Sequence, residues 1–297
     1  MNSSIELTPW RQRQIAMLYR YASLDYMKAV DVLLSQVIEG RPTPALEQSL
    51  AAACAAALES QPRIHNDARR WDRDMRDILT EMRQLLRDDI KARGHGNYRA
   101  GSLGHFFNQV GHADAYDAYR SRDEYHVCEY FVRQYSDPAE DILVEYRRQQ
   151  PLTDHWFACH LARHLSDQPE VPAFRVRTDI TARSGESPPR AGVYVSQDDA
   201  NAAPQFAWPE KDRGQLTDSS TFNDVGLAAL HAIGRDGLWF DQQKMYAFAA
   251  EAGIRHPASP QEAISPGSAS SALAIHAHAT RPCDRYYVEI MSGSEQR

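Results

Sequence analysis

The feature that most constrains the fold is a change of period near Phe174. Upstream of it, apolar residues recur every three or four positions, whereas in Phe174-Arg-Val-Arg-Thr-Asp-Ile180 the apolar residues and Thr178 alternate strictly with charges. The first spacing buries one face of a helix and the second one face of a strand, so no single all-helical or all-strand architecture accommodates both. At 297 residues the chain exceeds the usual ~100–200 residues of one domain. The expectation is an α+β fold: an antiparallel helical bundle over residues 1–168, then a smaller mixed domain with an antiparallel sheet over 169–297.

In the first part, Thr8-Pro9 is a start signal, and Ile15, Leu18, Ala22, Tyr26, Ala29, Leu33 and Val37 continue at helical spacing to Gly40, which predicts one long helix. Thr43-Pro44 opens a second, alanine-rich helix with Leu46, Leu50, Cys54 and Leu58 on one side. A third, from about Pro62 to Arg93, carries a near-heptad stripe that includes Ile78, Met82 and Leu85, with Gly94 as its cap. Its other face pairs Arg70 with Asp74, Asp72 with Arg76 and Arg73 with Asp77 at i,i+4, the pattern of a solvated, salt-bridged surface. The glycine-rich stretch 94–111 lacks the lysine and the preceding strand of a phosphate loop. Further helices are expected over Ser121–Tyr135, after Asp137-Pro138, and over Thr153–Leu165.

In the second part, strands are expected at Phe174–Ile180, Ala191–Ser196, Gln205–Trp208, Leu273–His278 and Arg285–Ile290, with helices around Phe222–Ile233 and Asp241–Ala252.

Composition excludes several classes. A formal net charge of −7 opposes a nucleic-acid binder, which needs a basic footprint to neutralise phosphates. No apolar run reaches the ~20 residues of a membrane span, and Met1–Trp10 lacks the basic start and apolar stretch of a signal peptide, so a cytoplasmic location is expected. Cys54, Cys128, Cys159 and Cys283 are far apart, without CxxC spacing, which points to reduced thiols rather than a zinc ribbon or disulfide framework.

Two histidine pairs are candidate ligands. His160 and His164 stand four apart on a helix, and either flank its apolar stripe or face a metal. His276 and His278, if on a strand, share one face, and Glu289 on the next strand would complete a two-histidine, one-carboxylate set. Nucleophilic catalysis lacks a GxSxG, and Cys159 and His160, being adjacent on a helix, point apart. These readings leave a metal-dependent enzyme and a helical scaffold as alternatives to a binding protein.

Several segments of the second part carry a family likeness: Arg190-Ala-Gly-Val-Tyr-Val195, Gln205-Phe-Ala-Trp208, Thr221-Phe-Asn-Asp-Val-Gly226, Gly234-Arg-Asp-Gly-Leu-Trp-Phe-Asp241 and Pro282-Cys-Asp-Arg-Tyr-Tyr-Val-Glu289. Together they resemble bacterial immunity proteins of polymorphic toxin systems, such as those encoded beside type VI secretion effectors. The resemblance implies a non-enzymatic chain without cofactor or metal, whose partner is a cognate toxin bound by occlusion. Residues 166–297 carry 17 acidic and 12 basic residues, against 23 and 21 before them, so acids facing a basic toxin surface are expected here. The contact residues expected are Asp198, Asp199, Glu210 and Asp212, flanked by Trp208 as an aromatic anchor.

Overall fold

The computed structural model describes residues 6–59, 71–98, 130–131, 137–143, 150–163, 171–211, 213–254 and 268–291. The expected start of the third helix, most of the glycine-rich stretch, the boundary near 168, and Asp212 lie outside them. The fold is α+β. It forms two compact units, Met1–Leu18 with Arg148–Arg297, and Tyr19–Arg147. The unit built on the sheet therefore also takes in the start of the first helix and the helix at 154–163.

In Tyr19–Arg147 the elements are the end of α1 (Pro9–Ala22), α2 (Leu24–Ile38), α3 (Pro44–Glu59), α4 (Trp71–Gly94) and α5 (Asp137–Leu143). The single helix expected up to Gly40 is in fact two. Ser23 breaks it: its hydroxyl donates to Arg20 O at 2.8 Å and accepts from the Tyr26 amide at 3.1 Å, the arrangement of an N-cap. The apolar period runs through the break, with Tyr21, Tyr26, Val30 and Leu34 all buried, so periodicity alone did not expose it. On α4 the buried line is Leu79, Met82 and Leu86, continuing to Asp89 and Arg93, and Leu85 of the expected stripe is only half-buried. Asp31 of α2 binds Arg83 and Arg87 of α4 at 2.8 and 3.1 Å.

In the other unit, β1 (Phe174–Arg183), β2 (Gly192–Ser196), β3 (Gln205–Ala207) and β6 (Asp284–Ile290) form an antiparallel sheet in the order β1-β6-β2-β3, while β4 (Ser219–Phe222) pairs with β5 (His278–Arg281). Val193 faces Val288 across β2 and β6, and Tyr194 faces Tyr287. The helices are α6 (Asp154–Arg163), α7 (Asp224–Ile233), α8 (Gln242–Glu251) and α9 (Ser268–Ala277). Most of the expected strand Leu273–His278 is thus helical. Its Ser/Ala-rich sequence buries Ser270, Leu273 and Ala277, a helical spacing, and extended chain begins only at His278. Gly226 is required where α7 meets α9, since a Cβ there would lie 2.2 Å from Ala277 O. A core of Phe222, Ala229, Ile233, Leu238, Trp239, Met245, Leu273 and Ala277 fills the space among α7, α8 and α9, with Ala158 of α6 and Trp10 of α1 packed on it.

Candidate functional site

The most highly constrained place in this unit is the carboxylate of Asp154. Thr153 caps α6, its hydroxyl accepting from the Trp156 amide at 3.1 Å, and the cap turns the next residue inward. Asp154 Oδ1 accepts from Trp10 Nε1 at 2.7 Å and Gln14 Nε2 at 3.1 Å, while Oδ2 accepts from Trp239 Nε1 and an Arg235 Nη2, both at 2.7 Å. Trp10 and Gln14 reach the same oxygen because they stand one turn apart on α1. The Arg235 guanidinium also lies 4.6 Å from the centre of the Trp10 ring, in a cation–π contact.

Trp239 reaches Asp154 from the turn between α7 and α8 with φ at 75°, the sole positive φ at a non-glycine among the described residues. Such a backbone costs about 1–3 kcal/mol and persists when its surroundings over-determine it. Here the hydrogen bond and the packing do so. The His278 ring stacks on Trp239 at 5.7 Å and on Phe222 at 5.4 Å, and His155 meets the Trp239 ring edge-on at 5.0 Å.

Both imidazoles are held neutral. Burial, reinforced by the nearby His278, pushes His155 down to about 4, against a weaker opposing pull from Asp154. Burial likewise lowers His278, whose Nδ1 donates to Ala274 O at 3.0 Å, leaving Nε2 as a buried acceptor without a partner. His155 Nε2 lies 3.3 Å from Cys159 Sγ. An imidazole that titrates near 4 is a poor base toward a thiol of ordinary value about 8.5, so this pair is a thiol donating to a neutral ring rather than an activated nucleophile.

Arg11, also buried, joins this cluster to a second one. Its guanidinium donates to Ala200 O and feels both Asp154 and Asp199, and burial lowers it to about 10. Asp199 accepts from the Asn201 amide at 2.8 Å, from Thr221 Oγ1 at 2.6 Å and from Arg281. Burial works against its anion, but those hydrogen bonds and the arginine outweigh it and hold the carboxyl below the usual range. Several polar atoms around these two carboxylates find no partner: Arg11 Nη1, Gln14 Oε1 and Arg235 Nε. Chemically the arrangement is a framework of alternating charges closed by neutral aromatic rings.

The expected contact residues occupy different settings. Asp198 is exposed, while Asp199 is engaged internally as described. Trp208 is a buried core residue whose indole donates to Glu210 Oε2 at 2.8 Å, and the close approach of Gly214 to its carbonyl seals it in place. It is therefore no exposed anchor.

The candidate metal set of His276, His278 and Glu289 does not come together. His276 is exposed on α9 and His278 lies on β5 beside β4, whereas Glu289 on β6 binds Arg175 and Arg177 of β1 at 2.6 and 3.2 Å. His160 is buried with its ring 4.1 Å from that of Trp156, and His164 lies outside the described residues. Among the described residues there is no cluster of three histidine, cysteine or acidic side chains suited to a metal.

Sequence reasoning missed the Asp154 centre. The local signals it leaves are the pairs Trp10–Gln14 and His155–Cys159, each four apart on a helix. Comparison with protein-family models, with curated proteins and with solved structures finds no match for the chain. Two of the segments that carry the resemblance meet through the Phe222 and Trp239 rings, 6.4 Å apart. Thr221-to-Gly226 supplies the Thr221 hydroxyl that donates to Asp199, the Phe222 ring and the Asn223 cap of α7, and Gly234-to-Asp241 supplies Arg235 and Trp239.

Proposed function

We propose that this chain is an immunity protein that binds a cognate secreted antibacterial toxin in the cytoplasm and neutralises it by stoichiometric occlusion, without catalysis. The observation that carries the reading is that two of the immunity-like segments supply part of the donor set, Thr221 to Asp199 and Arg235 with Trp239 to Asp154. Occlusion needs no reactive group but does need a preformed surface, because side chains already ordered lose little entropy on binding. The turn that carries Arg235 and Trp239 also presents Asp236 and Phe240 to solvent, so one turn carries both an exposed acidic and an exposed aromatic group.

In this reading Asp198 and Asp236 steer a basic toxin surface, and Phe240 is the apolar contact. The test is co-expression with the toxin-like product of the adjoining gene, scored by survival, and a binding titration of the two purified proteins at two ionic strengths. Rescue with one-to-one binding that weakens in Phe240→Asp supports occlusion. Rescue without a complex, or no rescue, overturns it.

A further inference from the structure

We propose that the peptide joining Asp236 to Gly237 is a site of spontaneous isoaspartate formation, a covalent change of the main chain that unseats Trp239 from Asp154. It is the one step in the chain where an aspartate or asparagine precedes glycine. Ring closure between a carboxyl side chain and the amide of the next residue is least hindered where that residue has no Cβ. Packing favours glycine at this position: a Cβ on 237 would lie 3.0 Å from both the carbonyl oxygen and Cγ2 of Ile233. The close approach that suits glycine thus leaves an unshielded amide directly after an aspartate.

Both reacting groups are loosely held. Asp236 is exposed, and among the described residues its carboxylate takes part in no hydrogen bond or ion pair. Asp241, at the end of the same turn, instead accepts from the Lys244 amide at 3.0 Å and pairs with its ammonium at 3.3 Å. The Gly237 amide donates to Gly234 O at 3.2 Å, a longer bond than those of the Leu238, Phe240 and Asp241 amides in this turn, at 2.9, 3.0 and 2.8 Å. Asp218 before Ser219 is the natural comparison. It too is exposed, but Ser219 is buried in β4 and paired with Arg281 of β5.

In the reaction, the Gly237 nitrogen attacks Cγ of Asp236 in its neutral acid form. The N–C bond forms as the C–OH bond breaks, and the hydroxyl leaves as water with the amide proton, which closes a five-membered succinimide. Water then adds to one of the two ring carbonyls. Addition at Cγ restores aspartate, whereas addition at the former main-chain carbonyl leaves the chain running through Cβ and Cγ, with the free carboxylate on Cα. No oxidant or cofactor enters, and the product is an isomer of the starting chain. Its main chain is one methylene longer, just ahead of Trp239. The strained backbone of Trp239 is sustained by its indole reaching Asp154 Oδ2 at 2.7 Å and stacking on His278. The tight contact of Gly237 with Ile233 leaves little room to absorb the added length.

The experiment holds the full chain at pH 6 and 37 °C in water enriched in oxygen-18, and follows isoaspartate and heavy oxygen over several weeks by peptide mass spectrometry. Residue 236 should isomerise at least tenfold faster than residue 218 and take up solvent oxygen as it does so. The isomerised fraction, separated by ion exchange, should melt below the fresh chain. Asp236→Glu cannot close the five-membered ring and should keep its melting transition through the same incubation. Similar rates at 236 and 218, isomer formed without solvent oxygen, or an isomerised fraction that melts like the fresh chain would each overturn the proposal. So would an Asp236→Glu chain whose transition falls as fast as that of the parent.

Discussion

Asp31 and Asp154 are both aspartates held by arginine, one in each compact unit. Asp31 joins α2 to α4 through Arg83 and Arg87, its own side chain 19% exposed and that of Arg87 50% exposed. Asp154 is 8% exposed and adds two indoles and an amide to its one arginine. Water can replace the partners of the first carboxylate but not those of the second. Burial therefore decides what a carboxylate contributes more than the presence of an arginine does. The Asp154 donors come from α1 and from the α7–α8 turn, so the buried carboxylate ties both segments to α6.

The largest expected effect follows from removing that tie. Asp154→Ala leaves Arg235 and two indole N–H groups without their acceptor and should destabilise the unit by about 3–5 kcal/mol. At roughly 2–4 °C per kcal/mol for a unit of this size, a thermal melt should shift down by about 6–20 °C. Asp154→Asn should recover part of this, because an amide oxygen still accepts from an indole. An alanine variant that melts within 2 °C of the parent, a margin of roughly 1 kcal/mol, would show that solvent replaces these partners as readily as at Asp31.

Next in size is a pH effect confined to the same unit. His155 titrates at about 4 in the folded chain, against about 6.5 when unfolded. Between those values the unfolded chain binds a proton that the folded chain refuses, so stability falls as pH drops from about 6.5 toward 4 and levels off below. The loss is about 3 kcal/mol at most, and lowering of His278 acts in the same direction. Urea unfolding from pH 7 to pH 4 should show this slope, and His155→Gln should flatten it. An unchanged slope in that variant would place the titration elsewhere.

The same contrast explains what could be read from the amino-acid order. Starts at Thr8, Thr43 and Thr153 were legible because a cap and the amide it accepts from are neighbours in sequence. Ser23 was not, because the apolar stripe continues through it, and α9 was not, because serines and alanines leave little period to count. The ion pairs of the helical unit join helices by side chains near the surface, whereas the Asp154 bonds span 144 and 85 residues. Asp199 sits in a polar stretch that reads as an exposed loop, and Trp208 stands at the end of an expected strand. Their burial depends on Gly214 and on Arg281, the latter 82 positions away from Asp199.

A smaller effect is expected at Asp31. Burial disfavours its anion, but hydrogen bonds from Arg83 and Arg87 more than compensate and keep the carboxyl below its ordinary value. That stability is present above the unfolded value near 3.8 and is lost as pH falls through the lower folded value. Because the pair is partly exposed, Asp31→Asn should destabilise by less than about 1 kcal/mol, and the difference should shrink in 1 M salt. A loss comparable to that of Asp154→Ala would break the comparison.

The smallest effect on the fold is expected at Asp198, and it separates framework from surface within a single dipeptide. Asp199 is fastened to Asn201, Thr221 and Arg281, whereas its neighbour Asp198 is exposed and its amide alone is engaged, by Ser196 Oγ at 3.4 Å. Asp198→Lys should therefore leave the melting transition within the range of an ordinary surface change, about ±0.5 kcal/mol. Asp199→Lys would instead place a cation against Arg281 and near Arg11, and should lower it clearly. If Asp198 steers a basic toxin, its reversal should slow association and reduce the dependence of the on-rate on ionic strength, with little change in the off-rate. Stopped-flow mixing at 50 and 300 mM salt distinguishes the two. A variant with unchanged association at both concentrations would remove Asp198 from the contact surface while leaving the framework role of Asp199 intact.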